Sequence, residues 1–261
     1  MRNFLLSLCL SMAGLFAGEI NTLTPAEKKA GWHLLFDGKD INQRWRNLGR
    51  ENVTGKGWVV RDGVLIKKQG VPAGNLITRR TWTDFEFAWE WKMGPKGNNG
   101  IKYMVLEKRG SIGHEYQMID DNFYKQPLGM TGTFYAVLPR DVKDAPLKAP
   151  GEWNHSAIKV DGKKVEHWLN GKKVIHFDYS DSKWAFNVDM LEKRGAKLPA
   201  RGANLSLQDH GDPVWYRAIK LRKLPADEKL NMDEVNPAKI ADEVLEAERK
   251  KLEGIVNRRK K

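Results

Sequence analysis

Phe85, Phe87, Trp89 and Trp91 alternate strictly with Glu86, Ala88, Glu90 and Lys92. Apolar side chains at every second position mark a β-strand, because successive strand residues point to opposite faces. Four aromatic rings on one face demand a second layer to cover them, so this strand belongs to a packed sheet. Neighbouring segments carry the same signal. Trp58–Arg61 and Val64–Ile66 flank Asp62-Gly63, Ile158–Val160 meets Lys164–Leu169 across Asp161-Gly162, and Asn170-Gly171 turns into Lys173–Phe177. These dipeptides predict tight hairpins, and hairpins build antiparallel sheet. From Trp32 to about Leu224, short strands are separated by Gly, Asn, Asp and Pro, the pattern of an all-β sandwich or barrel.

The ends read differently. Residues 1–18 combine Arg2, an apolar run from Phe4 to Phe16 and the small pair Ala17-Gly18, which predicts a secretory signal and a periplasmic or extracellular protein. The run is short for a membrane span, so no integral membrane segment is expected. Cys9, the only cysteine, falls inside it, leaving the exported chain without a disulfide or a thiolate metal site. The main domain is placed at residues 19–224. Thr24-Pro25-Ala26-Glu27 has the form of a capping box that opens a short helix. Tyr179–Gly202 reads as a long irregular loop bordering a groove. Residues 225–261 are a charged tail, with Asn236-Pro237 capping a helix that runs to about Val256 and carries Ile240, Val244, Leu252 and Ile255 on one loose stripe.

The formal charge of +12 raises nucleic acid as a partner. Acidic and basic residues balance beyond Pro225, so the excess lies in the body, where it is dispersed rather than gathered in a stripe. A solvated basic surface is the simpler reading, and no nucleic-acid partner is expected.

Two strands have one face built to pack and another built to handle something polar. In Gly113–Asp121, Glu115 and Gln117 project together, opposite Tyr116 and Met118. In Leu205–Gly211, Ser206, Gln208 and His210 project together, opposite Leu205 and Leu207. Carboxylate, amide and imidazole groups on paired strands describe a carbohydrate-type groove. Each has a plainer role available. Glu115 can be solvated or paired with Lys102, and His210 can cap a turn. His167 is structural or groove-lining. Asp120-Asp121-Asn122 can form a turn or hold calcium through oxygen ligands, although no cofactor is required. Trp153, Trp168, Trp184 and Trp215 form a mixed set, any of which can stack on a sugar ring.

Five blocks, in order, resemble one known family: Gly31–Lys39, Asn98–Tyr103, Glu115–Asp120, Glu166–Gly171 and Leu207–Gly211. The chain is similar to the bacterial 3-keto-disaccharide hydrolase domain family over roughly residues 24–224. One departure is visible, Asn98-Asn99-Gly100 where the family commonly has Asn-Ser-Gly. The resemblance implies a concanavalin A/laminarinase-like jelly roll of two antiparallel sheets, with a sugar groove on the concave face. It also implies a saccharide partner already oxidised to a ketone at C3. A more distant similarity to laminarinase-like retaining glycosidases aligns Glu-x-Asp-x-x-Glu with Glu115-x-Gln117-x-x-Asp120. Gln117 cannot ionise, and without a bulge Asp120 falls on the opposite face from Glu115. A double displacement that needs carboxyl groups roughly 5–5.5 Å apart is therefore poorly served.

A 3-keto sugar permits an easier route, removal of the acidified C2 hydrogen followed by loss of the C1 substituent. That chemistry requires a base, an acid and donors for the developing enolate. The expected catalytic set is Glu115, His210 and Asp120. The expected substrate-binding set is Gln117, Gln208, Asn98, Lys102, Tyr103 and Asp209. A non-catalytic carbohydrate-binding module on the same fold is the competing reading, since jelly rolls host lectins as well as enzymes. Nothing in the sequence speaks to oligomeric state.

Overall fold

The computed structural model describes residues 20–107, 114–140, 146–193, 202–226, 228, 230, 235 and 239–258. Helix α1 (Pro25–Lys29) opens on the capping box read from sequence: the Thr24 hydroxyl accepts from the Glu27 N–H at 3.2 Å, and the Glu27 carboxylate accepts from the Thr24 N–H at 2.8 Å. Thirteen strands follow: β1 (His33–Leu34), β2 (Trp45–Asn47), β3 (Trp58–Arg61), β4 (Val64–Lys67), β5 (Leu76–Thr78), β6 (Phe85–Met93), β7 (Asn98–Val105), β8 (His114–Ile119), β9 (Asn154–Asp161), β10 (Lys164–Leu169), β11 (Lys172–Asp178), β12 (Asn204–Leu207) and β13 (Val214–Lys223).

Eight strands form one antiparallel sheet in the order β11-β10-β9-β6-β13-β4-β3, with β1 taking the stretch of β13 that β4 leaves open. The other five form the second sheet, β2-β5-β12-β7-β8. Chain order and spatial order differ in both sheets, and the two layers stack as a jelly-roll sandwich. The predicted hairpins are present. Asp62 and Gly63 join β3 to β4 with φ of 50° and 74°, and Asn170 and Gly171 join β10 to β11 with φ of 46° and 84°. Positive φ at both central residues matches the right-handed twist of the flanking strands.

The core lies between the layers. From the larger sheet, β6 sends Phe85, Phe87, Trp89 and Trp91 inward, all buried. Facing them are Ile101 and Tyr103 of β7, Tyr116 and Met118 of β8, and Leu205 and Leu207 of β12. Trp89 meets Tyr116 edge-on, 5.0 Å between ring centroids. Polar tips of these rings are satisfied by protein groups, two of them across the layers. The Tyr116 hydroxyl bonds to Ser156 Oγ at 2.8 Å, Trp91 Nε1 donates to the same oxygen at 2.9 Å, and the Tyr216 hydroxyl donates to Asn99 Oδ1 at 2.8 Å.

His167 is part of this buried polar set. Its Nδ1 faces the Gly132 carbonyl at 3.0 Å and must donate there, so Nε2 accepts from the Tyr103 hydroxyl at 2.9 Å. Burial pulls its pKa down to about 4, with partial opposition from backbone contacts to Gly132 and Thr133. The ring is therefore a neutral structural element.

Two helical regions depart from the sequence reading. The expected loop Tyr179–Gly202 contains α2 (Ala185–Lys193), which buries Met190 and Leu191 against the core. The long tail helix α3 (Asp242–Arg258) begins later than the periodicity implied, and the cap expected at Asn236-Pro237 lies outside the described residues, as does the segment 1–18. Helix α3 docks on α2. Leu252 is buried, Lys193 Nζ reaches Glu253 at 3.2 Å, and Arg249 Nε reaches Asp189 at 3.5 Å. Val244, expected on the packing stripe, is exposed. Among the described residues, no helix is long and apolar enough to cross a membrane.

One ion pair joins the larger sheet to the segment that follows β12. Lys67, the last residue of β4, is fully buried and extends its ammonium to Asp209 Oδ1 at 2.9 Å and to the Lys68 and Val71 carbonyls at 2.8 and 3.0 Å. The other oxygen of Asp209 accepts from the Ala73 and Gly74 N–H groups, both at 2.8 Å. Burial opposes ionisation of Asp209, but Lys67 and the two N–H groups outweigh it and hold the carboxyl below its usual range.

Two stability predictions follow from these groups. Asp209→Asn leaves the Lys67 ammonium buried without its counter-charge and should lower unfolding free energy by about 3 kcal/mol in urea titrations. A loss under about 1 kcal/mol would show that the pair anchors nothing. For His167, the unfolded chain takes up a proton near its ordinary value of 6.5, while the folded chain resists until about pH 4. Stability is full above that window and falls as pH drops through it, by on the order of 3 kcal/mol in total. His167→Gln should flatten that part of the curve, and an unaltered pH dependence in the variant would assign the loss elsewhere.

Candidate active site

The inward alternation of the five-stranded sheet fixes what its other face can present. Ladder pairing sets Lys102 of β7 beside Glu115 of β8 and Ser206 of β12, and sets Gly100 beside Gln117. Gln208 follows β12 and donates its N–H to the Gly100 carbonyl at 3.2 Å, so it occupies the same row as Gly100. The outer face of this sheet thus collects Lys102, Glu115 and Ser206 in one rank and Gly100, Gln117 and Gln208 in the next.

These groups touch. Lys102 Nζ lies 4.0 Å from Glu115 Oε2. With its NH2 turned toward the carboxylate, Gln117 donates to Glu115 Oε1 at 3.3 Å and to the Asn99 carbonyl at 3.2 Å. The Gln117 amide also meets the Asn98 amide at 3.2 Å, and Asn98 Nδ2 lies 3.4 Å from His210 Nε2. His210 Nδ1 is 4.0 Å from Asp212 Oδ2, and that oxygen accepts the Asn98 N–H at 3.0 Å. A continuous polar row therefore runs Lys102–Glu115–Gln117–Asn98–His210–Asp212. Glu115 sits deep in it, 6% exposed, and His210 stands at the rim, 44% exposed.

Gly100 makes the row possible. A Cβ at this position would lie 2.7 Å from Glu115 Oε1, 3.2 Å from Glu115 Cγ and 3.3 Å from Gln208 Oε1. The two side chains converge over a strand residue that has none of its own. Gln208 Oε1 and Ser206 Oγ are buried and have no hydrogen-bond partner among the described residues.

Of the residues expected from sequence, Glu115, His210, Gln117, Gln208, Asn98 and Lys102 assemble here. Three do not. Asp120 has the inward parity of Tyr116 and Met118, and borders a void of about 20 Å³ with Trp91, Met93 and Asn154 of the other sheet. Its oxygens accept the Lys96 N–H at 2.8 Å and the Asn122 N–H at 3.0 Å, while neighbouring Asp121 pairs with Arg140. Asp120-Asp121-Asn122 is a turn, and Asp120 stands on the opposite side of the strand from Glu115. Tyr103 is fully buried between the sheets on His167, where burial pushes its hydroxyl far above the ordinary value, so it is a core donor. Asp209 is consumed by Lys67 and the Ala73–Gly74 backbone.

The tryptophans also find structural partners. Trp153 and Trp215 stand with Lys92 at 5.1 and 5.6 Å, Arg217 stacks on Trp153 at 4.0 Å, and Lys159 lies over Trp168 at 5.2 Å. Trp168 and Trp215 belong to β10 and β13 of the eight-stranded sheet, away from the Glu115 row. Trp184 packs on Phe177, 5.4 Å between centroids. Sequence reading missed Gly100 and Asp212. A lone glycine inside a strand signals close approach, and the alternation Gln208, His210, Asp212 extends one step past where it was followed.

Known proteins share this arrangement of the chain. A curated 3-keto-disaccharide hydrolase of Bacteroides thetaiotaomicron is 29% identical over 248 residues, covering 80% of this chain and 83% of the relative. Two crystal structures from Parabacteroides distasonis, each bearing a glycosyl hydrolase name, superpose with TM-scores of 0.66 and 0.60. They are 32% and 28% identical, cover 79% and 74% of this chain, and are themselves covered to 100% and 99%. The sequence model of one family spans residues 31–222, from just before β1 to the penultimate residue of β13, and the chain belongs to that family, the 3-keto-alpha-glucoside-1,2-lyase-like domains.

Proposed function

We propose that this chain is an exported carbohydrate-active enzyme that cleaves the glycosidic bond of 3-keto-glycosides on the outer face of its five-stranded sheet. The observation that carries this reading is the convergence of Glu115 and His210, from distant segments, on one row of touching polar groups. The family and the Bacteroides relative supply the substrate class, and the apolar run in residues 4–16 supplies export.

The geometry divides the work. Glu115, deep in the row and facing an ammonium, takes the C2 proton that the neighbouring ketone acidifies. The C–H electrons form the C2–C3 double bond of an enolate, and negative charge gathers on the C3 oxygen. Lys102 and the Asn98 amide are the donors for that charge, while the Gln117 amide holds the Glu115 carboxylate in place. The enolate then collapses, the C1–O bond breaks, and the ketone returns with a double bond between C1 and C2. His210, at the open rim and held by Asn98 beside Asp212, gives the departing oxygen its proton. Water adds across the double bond, hydroxyl to C1 and proton to C2, and the net result is hydrolysis. Stopping before this addition gives a lyase, so one first step serves both names found among the relatives.

Incubation with a 3-keto-glucoside and its unoxidised parent tests the proposal. Only the keto compound should turn over, and Glu115→Gln or His210→Asn should lower kcat by about 10²- to 10⁴-fold. Equal cleavage of the parent, or unchanged rates in both variants, would remove this mechanism. Gly100→Ala is a sharper probe of geometry. Its added methyl must displace the Glu115 carboxylate, so kcat should fall at least about tenfold while the melting midpoint shifts little. A fully active Gly100→Ala enzyme would mean that Glu115 need not sit where it does.

A further inference from the structure

A second cavity, of about 350 Å³, opens where β1 of the larger sheet approaches the ends of β2 and β5. Leu35, Gln43, Arg44, Arg79, Arg80 and Trp82 are in its lining, and it shares no residue with the Glu115–His210 row. Its volume falls in the range of small-molecule sites, roughly 300–1,000 Å³.

The lining is one-sided in charge. Three guanidinium groups border the cavity and no carboxylate does. Arg44 precedes β2 and Arg79 follows β5, and the Arg79 N–H donates to the Arg44 carbonyl at 2.9 Å, so the backbone brings two like-charged residues together just beyond the paired ends of the strands. Arg79 is fixed in place, its Nε donating to the Asn42 carbonyl at 2.7 Å and its Nη2 to Asn52 Oδ1 at 2.9 Å. Among the described residues, the Arg44 and Arg80 side chains have no ion-pair or hydrogen-bond partner. Trp82 adds an indole N–H that is buried with no acceptor. Guanidinium and indole groups donate hydrogen bonds and accept none. Three guanidinium groups with no carboxylate among them, around a cavity rather than a flat surface, favour a ligand rich in oxygen lone pairs and negative charge.

We propose that this cavity is a binding site for a small oxyanion-bearing molecule, with Arg44, Arg79 and Arg80 holding the anionic group and Leu35 and Trp82 available to an attached ring. The same chemistry is offered by a free anion and by an acidic sugar, whether its anion is a carboxylate or a phosphate ester. The site is independent of the catalytic reading, which concerns a neutral ketone at residues this cavity does not share.

Calorimetric titration of the full chain, at low ionic strength, with inorganic phosphate, glucose 6-phosphate, glucuronate and glucose tests this assignment. The oxyanions should bind saturably, glucose should not, and added salt should weaken binding. Arg44→Gln/Arg80→Gln should raise the dissociation constant at least about tenfold while leaving the melting midpoint of the free protein unchanged. The single variant Arg80→Gln reads the same effect should the double variant unfold. Tighter binding of glucose 6-phosphate or glucuronate than of phosphate assigns an acidic sugar, and equal binding assigns a free anion. Glu115→Gln should retain all anion binding, which separates failure here from failure of the catalytic proposal. Equal affinity in wild type and both arginine variants, equal binding of glucose, or no binding of any anion would overturn the site.

Discussion

The buried pair of Lys67 and Asp209 decides where the polar face can form. Gln208 and His210 lie beyond the end of β12, in a segment without ladder partners on both sides to fix it. Asp209, between them, points the other way and is clamped by an ammonium from the larger sheet and by two N–H groups of the 73–74 backbone. Alternation then leaves the two flanking side chains no choice but the outer face. A buried ion pair is weak evidence for stability, because desolvation offsets most of its attraction. Its value here is positional, since it sets the height and direction of a short segment that carries an amide and an imidazole.

The two layers divide labour by the same alternation. Polar atoms inside the sandwich are consumed in pairs: Tyr116 with Ser156, Tyr216 with Asn99, and Tyr103 with His167. Each pair ties one sheet to the other and leaves nothing for a ligand. On the outer face of the five-stranded sheet, Ser206 Oγ and Gln208 Oε1 stand without such partners among the described residues, and Glu115 is approached by the Lys102 ammonium and the Gln117 amide. The three pairs use up the polar atoms they join, whereas the exterior row keeps two acceptors without a protein donor among the described residues.

Period-two reading reached most of this from sequence. The Phe85–Lys92 alternation, the Asp62-Gly63 and Asn170-Gly171 turns and the facing of Glu115, Gln117, Ser206, Gln208 and His210 are local properties, written in spacing alone. Asp120, Tyr103 and Asp209 were misplaced for one shared reason. Each has the residue type of a site group but the inward parity, and family blocks transmit type more readily than direction. Asp120 illustrates it, since the laminarinase-like spacing invites a catalytic role that a regular strand through Ile119 cannot deliver. Helix α2 carries only a weak stripe over its nine residues, so spacing alone does not mark it, and its burial comes from tertiary contact of Met190 and Leu191.

Gly100 shows why some of the site could not be read from any single strand. Its importance comes from Glu115 on β8 and Gln208 beyond β12 leaning over it from both sides, a relation among three segments far apart in the chain. A side chain there would push the carboxylate and the amide apart, and one carboxylate alone cannot both take a proton from C2 and steady the charge that follows. Enolate chemistry asks less of the protein than a double displacement, because the substrate's own ketone stores the charge. One base, one acid at the rim and a few donors suffice. On the proposed mechanism, that economy lets a groove without a second carboxylate beside Glu115 cleave a glycosidic bond when the sugar arrives already oxidised. In the proposed mechanism the glycine floor and the ketone are thus two sides of one constraint: with a single carboxylate in the row, the substrate's ketone and the acid at the rim take over the work that the laminarinase-like arrangement gives to a second.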